Sequence, residues 1–307
     1  MKNSLILAAA CLALIGCSSP SANAPRQHSG TPAKSAFKAL NGCLGTYNNS
    51  PRLPNGRVDM QRLLDELVEL RANTYNWLIW HRDTDWEDLQ AFLPLARAKH
   101  INVWVTLVPP SESPPKARWY SEPFRLDYVR WADELGRLSD RESNLVAWSI
   151  DDFCHNLKTF TPETVQAMRA KTRQHNSQFA FVPCCYYKQI TPVFAQKYSG
   201  LIDGILFPYR SESTKANLTD AAQVEAEFGK IREVMGRKDL PVMLDVYASA
   251  HATMGSSTPE YVRQVMARAH LVADGVLVYC HQDKQKSAQK FAVIKALFEE
   301  WTKPGDR

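Results

Sequence analysis

Along most of the chain, short runs of β-branched and aromatic residues alternate with longer stretches whose apolar positions recur every three or four residues. Runs of the first kind read as buried strands and those of the second as amphipathic helices. Eight such pairs are legible. Strands are predicted near 42–46, 73–79, 101–107, 145–150, 178–183, 202–207, 241–246 and 274–279, with helices near 58–71, 85–99, 122–139, 161–175, 191–198, 218–236, 258–272 and 285–301. Repeated strand–helix units with buried parallel strands build either a closed barrel or a doubly wound open sheet. Eight units, and no Gly-rich phosphate loop after the first strand, point to a single-domain α/β protein with a (β/α)8 TIM-barrel fold. Thr161-Pro162-Glu163 and Thr258-Pro259-Glu260 fit that parse, each placing a hydroxyl residue at the N-cap and proline at the first helical position.

In such a barrel, alternate strand residues face the interior and the helix layer, and chemistry collects at the C-terminal strand ends. The stretch Trp148-Ser149-Ile150-Asp151-Asp152-Phe153 ends a strand on two carboxylates. Alternation turns Trp148 and Ile150 toward the helices and Ala147, Ser149 and Asp151 inward, with Asp152 just beyond the strand. On the seventh strand Met243, Asp245 and Tyr247 point inward, and on the fifth the series Ala180, Val182, Cys184, Tyr186 carries Tyr186 to the same rim. Asp151, Asp152 and Asp245 are therefore the catalytic candidates. Asn73, Trp80, His81, Tyr186, Tyr209, Arg210, Tyr247 and His281 are the substrate-binding candidates, with Trp119 and Tyr120 of the Pro-rich third loop as further aromatic platforms. Each has a plainer alternative: a helix cap or a partner for Arg210 in the case of the acid pair, packing for the tryptophans, an ion pair for Arg210. His81, His155, His251 and His281 follow strands on this face, but no His-x-x-x-His or His-Glu pair supports a metal, and no motif asks for a cofactor.

Two carboxyls at a barrel mouth suit glycoside hydrolysis, in which one acid protonates the leaving oxygen and a second group attacks or stabilises the anomeric carbon. Sequence neighbours seldom flank that carbon from opposite faces. They fit better a substrate-assisted reaction, in which the sugar's own acetamido oxygen attacks. Like charges held close separate the two pKa values, and the expectation is that Asp152 carries the proton. A competing layout keeps Asp152 as acid and takes Asp245 as nucleophile or base across the mouth.

The N-terminus changes where such an enzyme would work. Met1-Lys2-Asn3 precedes an apolar run from Leu5 to Ile15, and Leu14-Ile15-Gly16-Cys17 resembles a bacterial lipobox. The resemblance implies a signal peptide over 1–16, lipid on Cys17 and a flexible tether over 17–36, rich in Ser, Pro and Ala. Ser18 after the cysteine implies, by analogy, sorting to the outer membrane of a Gram-negative envelope. The run is too short to span a bilayer as a mature helix. The domain then occupies 37–307. A net charge of +5 is spread without long runs, and eight Trp with eleven Tyr favour stacking on sugars over tracking phosphates, so nucleic acid is not an expected partner. Of seven cysteines, Cys43, Cys154, Cys184, Cys185 and Cys280 stay in the domain, an odd number open either to one or two bridges or to buried thiols.

Several segments in order resemble the β-N-acetylhexosaminidase family that contains the O-GlcNAcases. Ala72-Asn73-Thr74-Tyr75 is similar to its Met-Asn-Thr-Tyr, His100 to Val105 to its third-strand entry, and Asp151-Asp152-Phe153 to its paired aspartates after strand four. Phe181-Val182-Pro183-Cys184-Cys185-Tyr186 is similar to its Phe-x-Pro-x-x-Tyr, and Leu244 to Tyr247 loosely to its Trp-Asp-Asn-Tyr. The resemblance covers roughly 70 to 250. It implies that Asp151 orients a 2-acetamido group, that Asp152 is the acid/base and that Tyr186 touches the acetamido. Trp80 and His81 stand where that family has a lysine, and Val246 and His251 where it has hydroxyl-holding Asn and Asp. The expectation is an envelope-anchored glycoside hydrolase acting on a glycan or glycoconjugate. The alternative is a non-catalytic glycan-binding lipoprotein on the same barrel.

Overall fold

The computed structural model describes residues 37–302. The expected signal peptide, tether and lipidation position Cys17 lie outside the described residues.

Eight parallel strands, β1 (Cys43–Tyr47), β2 (Thr74–Ile79), β3 (Asn102–Leu107), β4 (Leu145–Ile150), β5 (Ala180–Phe181), β6 (Ile205–Tyr209), β7 (Val242–Tyr247) and β10 (Gly275–Tyr279), form one sheet. A small hairpin, β8 (Ala250–His251) and β9 (Gly255–Ser256), follows β7. The helices are α1 (Met60–Glu69), α2 (Asp85–Ala98), α3 (Tyr128–Arg141), α4 (Pro162–His175), α5 (Pro192–Tyr198), α6 (Val224–Met235), α7 (Pro259–His270) and α8 (Ala288–Trp301). The strand order is β5-β4-β3-β2-β1-β10-β7-β6. Its two ends meet through a parallel bridge between Cys184 and Leu206, with Leu206 N donating to Pro183 O at 3.0 Å and Cys185 N to Leu206 O at 2.9 Å. This closes a (β/α)8 TIM barrel as the alternation predicts.

Two apolar layers follow from strand alternation. Trp77, Trp148, Ile150 and Phe181 join the layer between strands and helices, whereas Trp104, Ala147, Ala180, Val182, Met243 and Leu277 fill the barrel interior. Leu40, just before β1, joins the interior cluster. Two glycines allow β1 to sit tightly against its neighbours. A Cβ on Gly45 would lie 2.2 Å from the Thr74 carbonyl oxygen, and one on Gly275 would lie 2.1 Å from Cys43 Sγ.

Thr161 and Thr258 cap α4 and α7 as predicted, accepting from the amides of Thr164 and Tyr261. Several boundaries shift, three of them for a visible local reason. Helix α3 starts at Tyr128 rather than 122, because Arg125 adopts a left-handed φ of 52° and Asp127 then caps the helix through Arg130 N. Helix α6 starts at Val224 rather than 218, because Asn217 Oδ1 collects the amides of Thr219 and Asp220 in a turn. Strand β5 is reduced to two residues; Val182 N and Cys184 N still donate to Trp148 O and Ile150 O on β4, while Pro183 has no amide proton to offer β6. The five described cysteines of the domain are all free thiols.

Candidate active site

Strand β4 carries Ser149 and Ile150 to the C-terminal end, where the Asp151 amide still donates to Leu107 O at 2.9 Å. At Asp152 the chain leaves the strand in a left-handed conformation, φ 45° and ψ 32°, which few residues other than glycine adopt. Continued as a strand, alternation would turn Asp152 to the helix layer. The left-handed step leaves both carboxyls in one hollow. Asp152 heads the short 3-10 turn Phe153–Asn156 without capping it through its side chain, so a capping role does not explain the pair.

The hollow has a volume of about 170 Å³. Asp151, Asp152 and Asp245 line it together, as do Tyr186 and Tyr247. Tyr47, Glu112, Cys184, His251 and Tyr279 complete the polar wall. The three acids singled out from the sequence thus converge.

Their surroundings differ. Burial raises the Asp151 carboxyl to about 7, reinforced by the negative charges of Asp152 and Glu112, while a hydrogen bond from the Cys184 thiol works the other way. Burial also acts to raise Asp152, but hydrogen bonds from His155 and Tyr186, with the charges of His155 and Arg210, outweigh it and hold Asp152 below the usual carboxylate range. Asp245 is 2% exposed, has one carboxylate oxygen without a hydrogen-bond partner, and is pushed well above the ordinary value by burial and by Asp151. These surroundings favour the proton on Asp151, the more deeply enclosed carboxyl, and the ionised form on Asp152, the reverse of the order expected from the sequence.

The other candidates divide. Arg210 lies with its guanidinium carbon 4.0 Å from the Tyr186 ring centroid and pairs with Glu212, so its contact is with the wall rather than with Asp152. Trp80 stands at the same end of the barrel but gives its indole N–H to the Glu112 carbonyl at 3.0 Å, bracing the loop that lines the cavity. Trp119 and Tyr120 stack under Arg118 and Arg125 and are not part of the cavity wall.

Asn73 does not belong to the site. It precedes β2, hence stands at the N-terminal end, where its side chain ties Leu44 N and Gly42 O. Tyr209 faces the helix layer, fully buried, and its hydroxyl donates to Asp220 O at 2.8 Å. His81 and His281 line a neighbouring cavity instead. His281 is held on both ring nitrogens, by Thr46 Oγ1 at 2.9 Å and Glu66 Oε2 at 2.8 Å.

Glu112, Tyr47, Tyr279, Cys184 and His155 were not singled out as site residues from the sequence. Strand alternation could have found Tyr47, since it follows Cys43 and Gly45 on the inward set of β1. Glu112 lies in the Pro-rich third loop, where no periodicity applies. His155 was visible only as a loop histidine, and its placement 3.5 Å from Asp152 Oδ1 depends on the short 3-10 turn. Among the described residues, no group of three or more His, Cys, Asp or Glu side chains is arranged to hold a metal ion.

No family model and no curated protein matches the chain. Solved structures do, at low identity. Cel5A of Thermotoga maritima in complex with cellobiose superposes with a TM-score of 0.59 at 11% identity, over 83% of this chain and 99% of that one. A GH2 β-galacturonidase of Eisenbergiella tayi bound to galacturonate gives 0.57 at 12% identity, over 85% of this chain. The chain spans about half of that enzyme's length, 51%. A putative aldo-keto reductase of Pseudomonas aeruginosa gives 0.51 at 11% identity, over 87% of this chain and 98% of that one. Glycoside hydrolases and an oxidoreductase share this barrel, so the likeness establishes the fold, and the chemistry has to be argued from the cavity.

Proposed function

We propose that this protein is a glycoside hydrolase that cleaves at a single sugar unit held in the mouth of the barrel. One observation carries the proposal: adjacent carboxyls, Asp151 and Asp152, share a tyrosine-walled hollow while their surroundings push them toward opposite charge states. A neutral Asp151 can donate its proton to the departing glycosidic oxygen. An ionised Asp152 on the same side cannot also attack from the opposite face, which favours assistance from a substrate acetamido group, with Asp152 accepting its N–H. Asp245, held neutral, suits a hydrogen bond to a sugar hydroxyl better than a nucleophilic role. The small volume suits a terminal or branch-end residue rather than the interior of a polymer. The GH2 and Cel5A names of barrel neighbours accord with this class and leave the substrate open. The lipobox-like Leu14 to Cys17 extends the proposal to a lipid-anchored, outer-membrane enzyme, tested by labelling cells with a fatty acid and comparing Cys17→Ala.

Incubation of the purified full chain with aryl glycosides of N-acetylglucosamine, N-acetylgalactosamine, glucose and galactose tests the chemistry. Release from an acetamido sugar, lost at least a thousandfold in Asp151→Asn and in Asp152→Asn, is the expected result. A binding-only reading is favoured by one feature: burial and Asp151 push Asp245, the third acid of the hollow, toward its neutral form. Saturable sugar binding with no release from any glycoside would select it.

A further inference from the structure

Beside the acid hollow lies a larger cavity, about 460 Å³, formed by the segments after β1, β2 and β10 and by α1. The two share a wall. Tyr47 lines the acid hollow and its carbonyl accepts from His281 N at 3.0 Å, while the next residue, Asn48, holds the His81 ring through Oδ1 at 2.6 Å, and both histidines face the larger cavity.

The charges are sorted between them. The acid hollow presents Asp151, Asp152, Asp245 and Glu112, with Asp152 held toward its ionised form and no Arg or Lys in the wall, so an anion gains no cationic partner there. The larger cavity presents Arg52, Arg62, Arg82 and Lys286 against Glu66 and Asp283. Both of those carboxylates are taken up by Arg62, at 2.9 and 2.7 Å, and Arg52 is taken up by buried Asp85 at 2.8 Å. Arg82 and Lys286 remain without an ion pair among the described residues, and Arg82 makes a hydrogen bond to the His81 carbonyl. A buried Glu66–His281–Thr46 chain fixes the floor beneath them.

We propose that this second cavity is an anion subsite in which Arg82 and Lys286 hold a carboxylate, sulfate or phosphate group of an acidic glycan. That the ligand is a glycan rests on the hydrolase reading; that the cavity takes an oxyanion does not. A sugar unit seated in the acid hollow is favoured to place an acidic substituent, or an acidic neighbouring unit, away from Asp152, and the cationic cavity lies across one wall. Exposed charge pairing of this kind weakens with salt.

Calorimetric titration of the full chain with methyl glucuronide, glucose 6-sulfate, glucose 6-phosphate and methyl glucoside tests it. We expect saturable binding of at least one anionic probe, weaker at high salt and weakened at least tenfold in Arg82→Ala/Lys286→Ala. Arg118→Ala, which alters a cation stacked on Trp119 outside both cavities, leaves it unchanged. The rank of the three anionic probes identifies the group. Equal affinity for methyl glucoside, equal affinity in the double variant, or no saturable binding of any anionic probe overturns the subsite. Anion binding that persists in Asp151→Asn and in a wild type with no turnover overturns only the hydrolase. Turnover of neutral glycosides without anion binding overturns only the subsite. Unchanged thermal melting of the double variant shows that a loss is not misfolding.

Discussion

The amide of Asp152 donates to Oδ1 of Asp151 at 3.0 Å, so the two adjacent side chains are locked in one arrangement while they answer to different neighbours. Asp151 meets buried walls and a thiol; Asp152 meets an imidazole and a phenol. The pH–rate profile should therefore fall on its basic side near pH 7 as Asp151 loses its proton. Asp152→Asn removes a negative charge that helps hold that proton, so the residual activity should lose its basic limb at lower pH than the wild type. A basic limb that stays in place would mean that Asp151 does not set it.

The same proton has a stability consequence. Asp151 binds it more tightly in the folded chain, about 7 against an ordinary 3.8, so its contribution to stability is fully present below about pH 4 and is lost as pH rises through 7. Asn carries no such penalty. Asp151→Asn should be more stable than the wild type by on the order of 1–3 kcal/mol at pH 8 and nearly equal to it at pH 4, read from denaturant unfolding at the two pH values. An inactive variant that is also less stable at pH 8 would contradict the burial assigned to this carboxyl.

Asp245 separates two mechanisms. If it serves as a neutral hydrogen-bonding group, Asp245→Asn keeps size and polarity and should retain activity within about tenfold, with the change mainly in KM. A drop of a thousandfold or more in kcat would identify Asp245 as the nucleophile or base across the mouth.

Tyr209 and Asn73 should act on stability alone. Tyr209→Phe removes the bond to Asp220 O and the acceptor for Gln223 N, and should cost about 1 kcal/mol of stability with kcat and KM unchanged. Asn73→Ala breaks two backbone ties at the opposite end of the barrel and should behave alike. A selective rise in KM for either variant would return that residue to the binding site.

The barrel was legible because its strands are buried on both faces and its helices on one, so the period of apolar residues changes from element to element. Alternation then carried the argument to Asp151, Asp245, Tyr186 and Tyr247. It fails where backbone leaves the strand. Glu112 reaches the hollow from a Pro-rich loop, and Asp152 reaches it through a left-handed φ that no local pattern announces. Which acid keeps the proton was equally hidden, because adjacent aspartates look alike until burial and donors are assigned. Tyr209 shows the converse: it continues the Ile205 and Phe207 set that faces the helices, and its position at a strand end outweighed that register.

The closing seam between β5 and β6 has one parallel bridge, Cys184 with Leu206, and three backbone hydrogen bonds, and Cys184 and Pro208 on its two sides also line the acid hollow. Backbone held by so few ladder bonds opens at lower cost than the rest of a sheet. Strain or thermal opening of the barrel is therefore expected to begin at this seam, on the same side as the acid hollow.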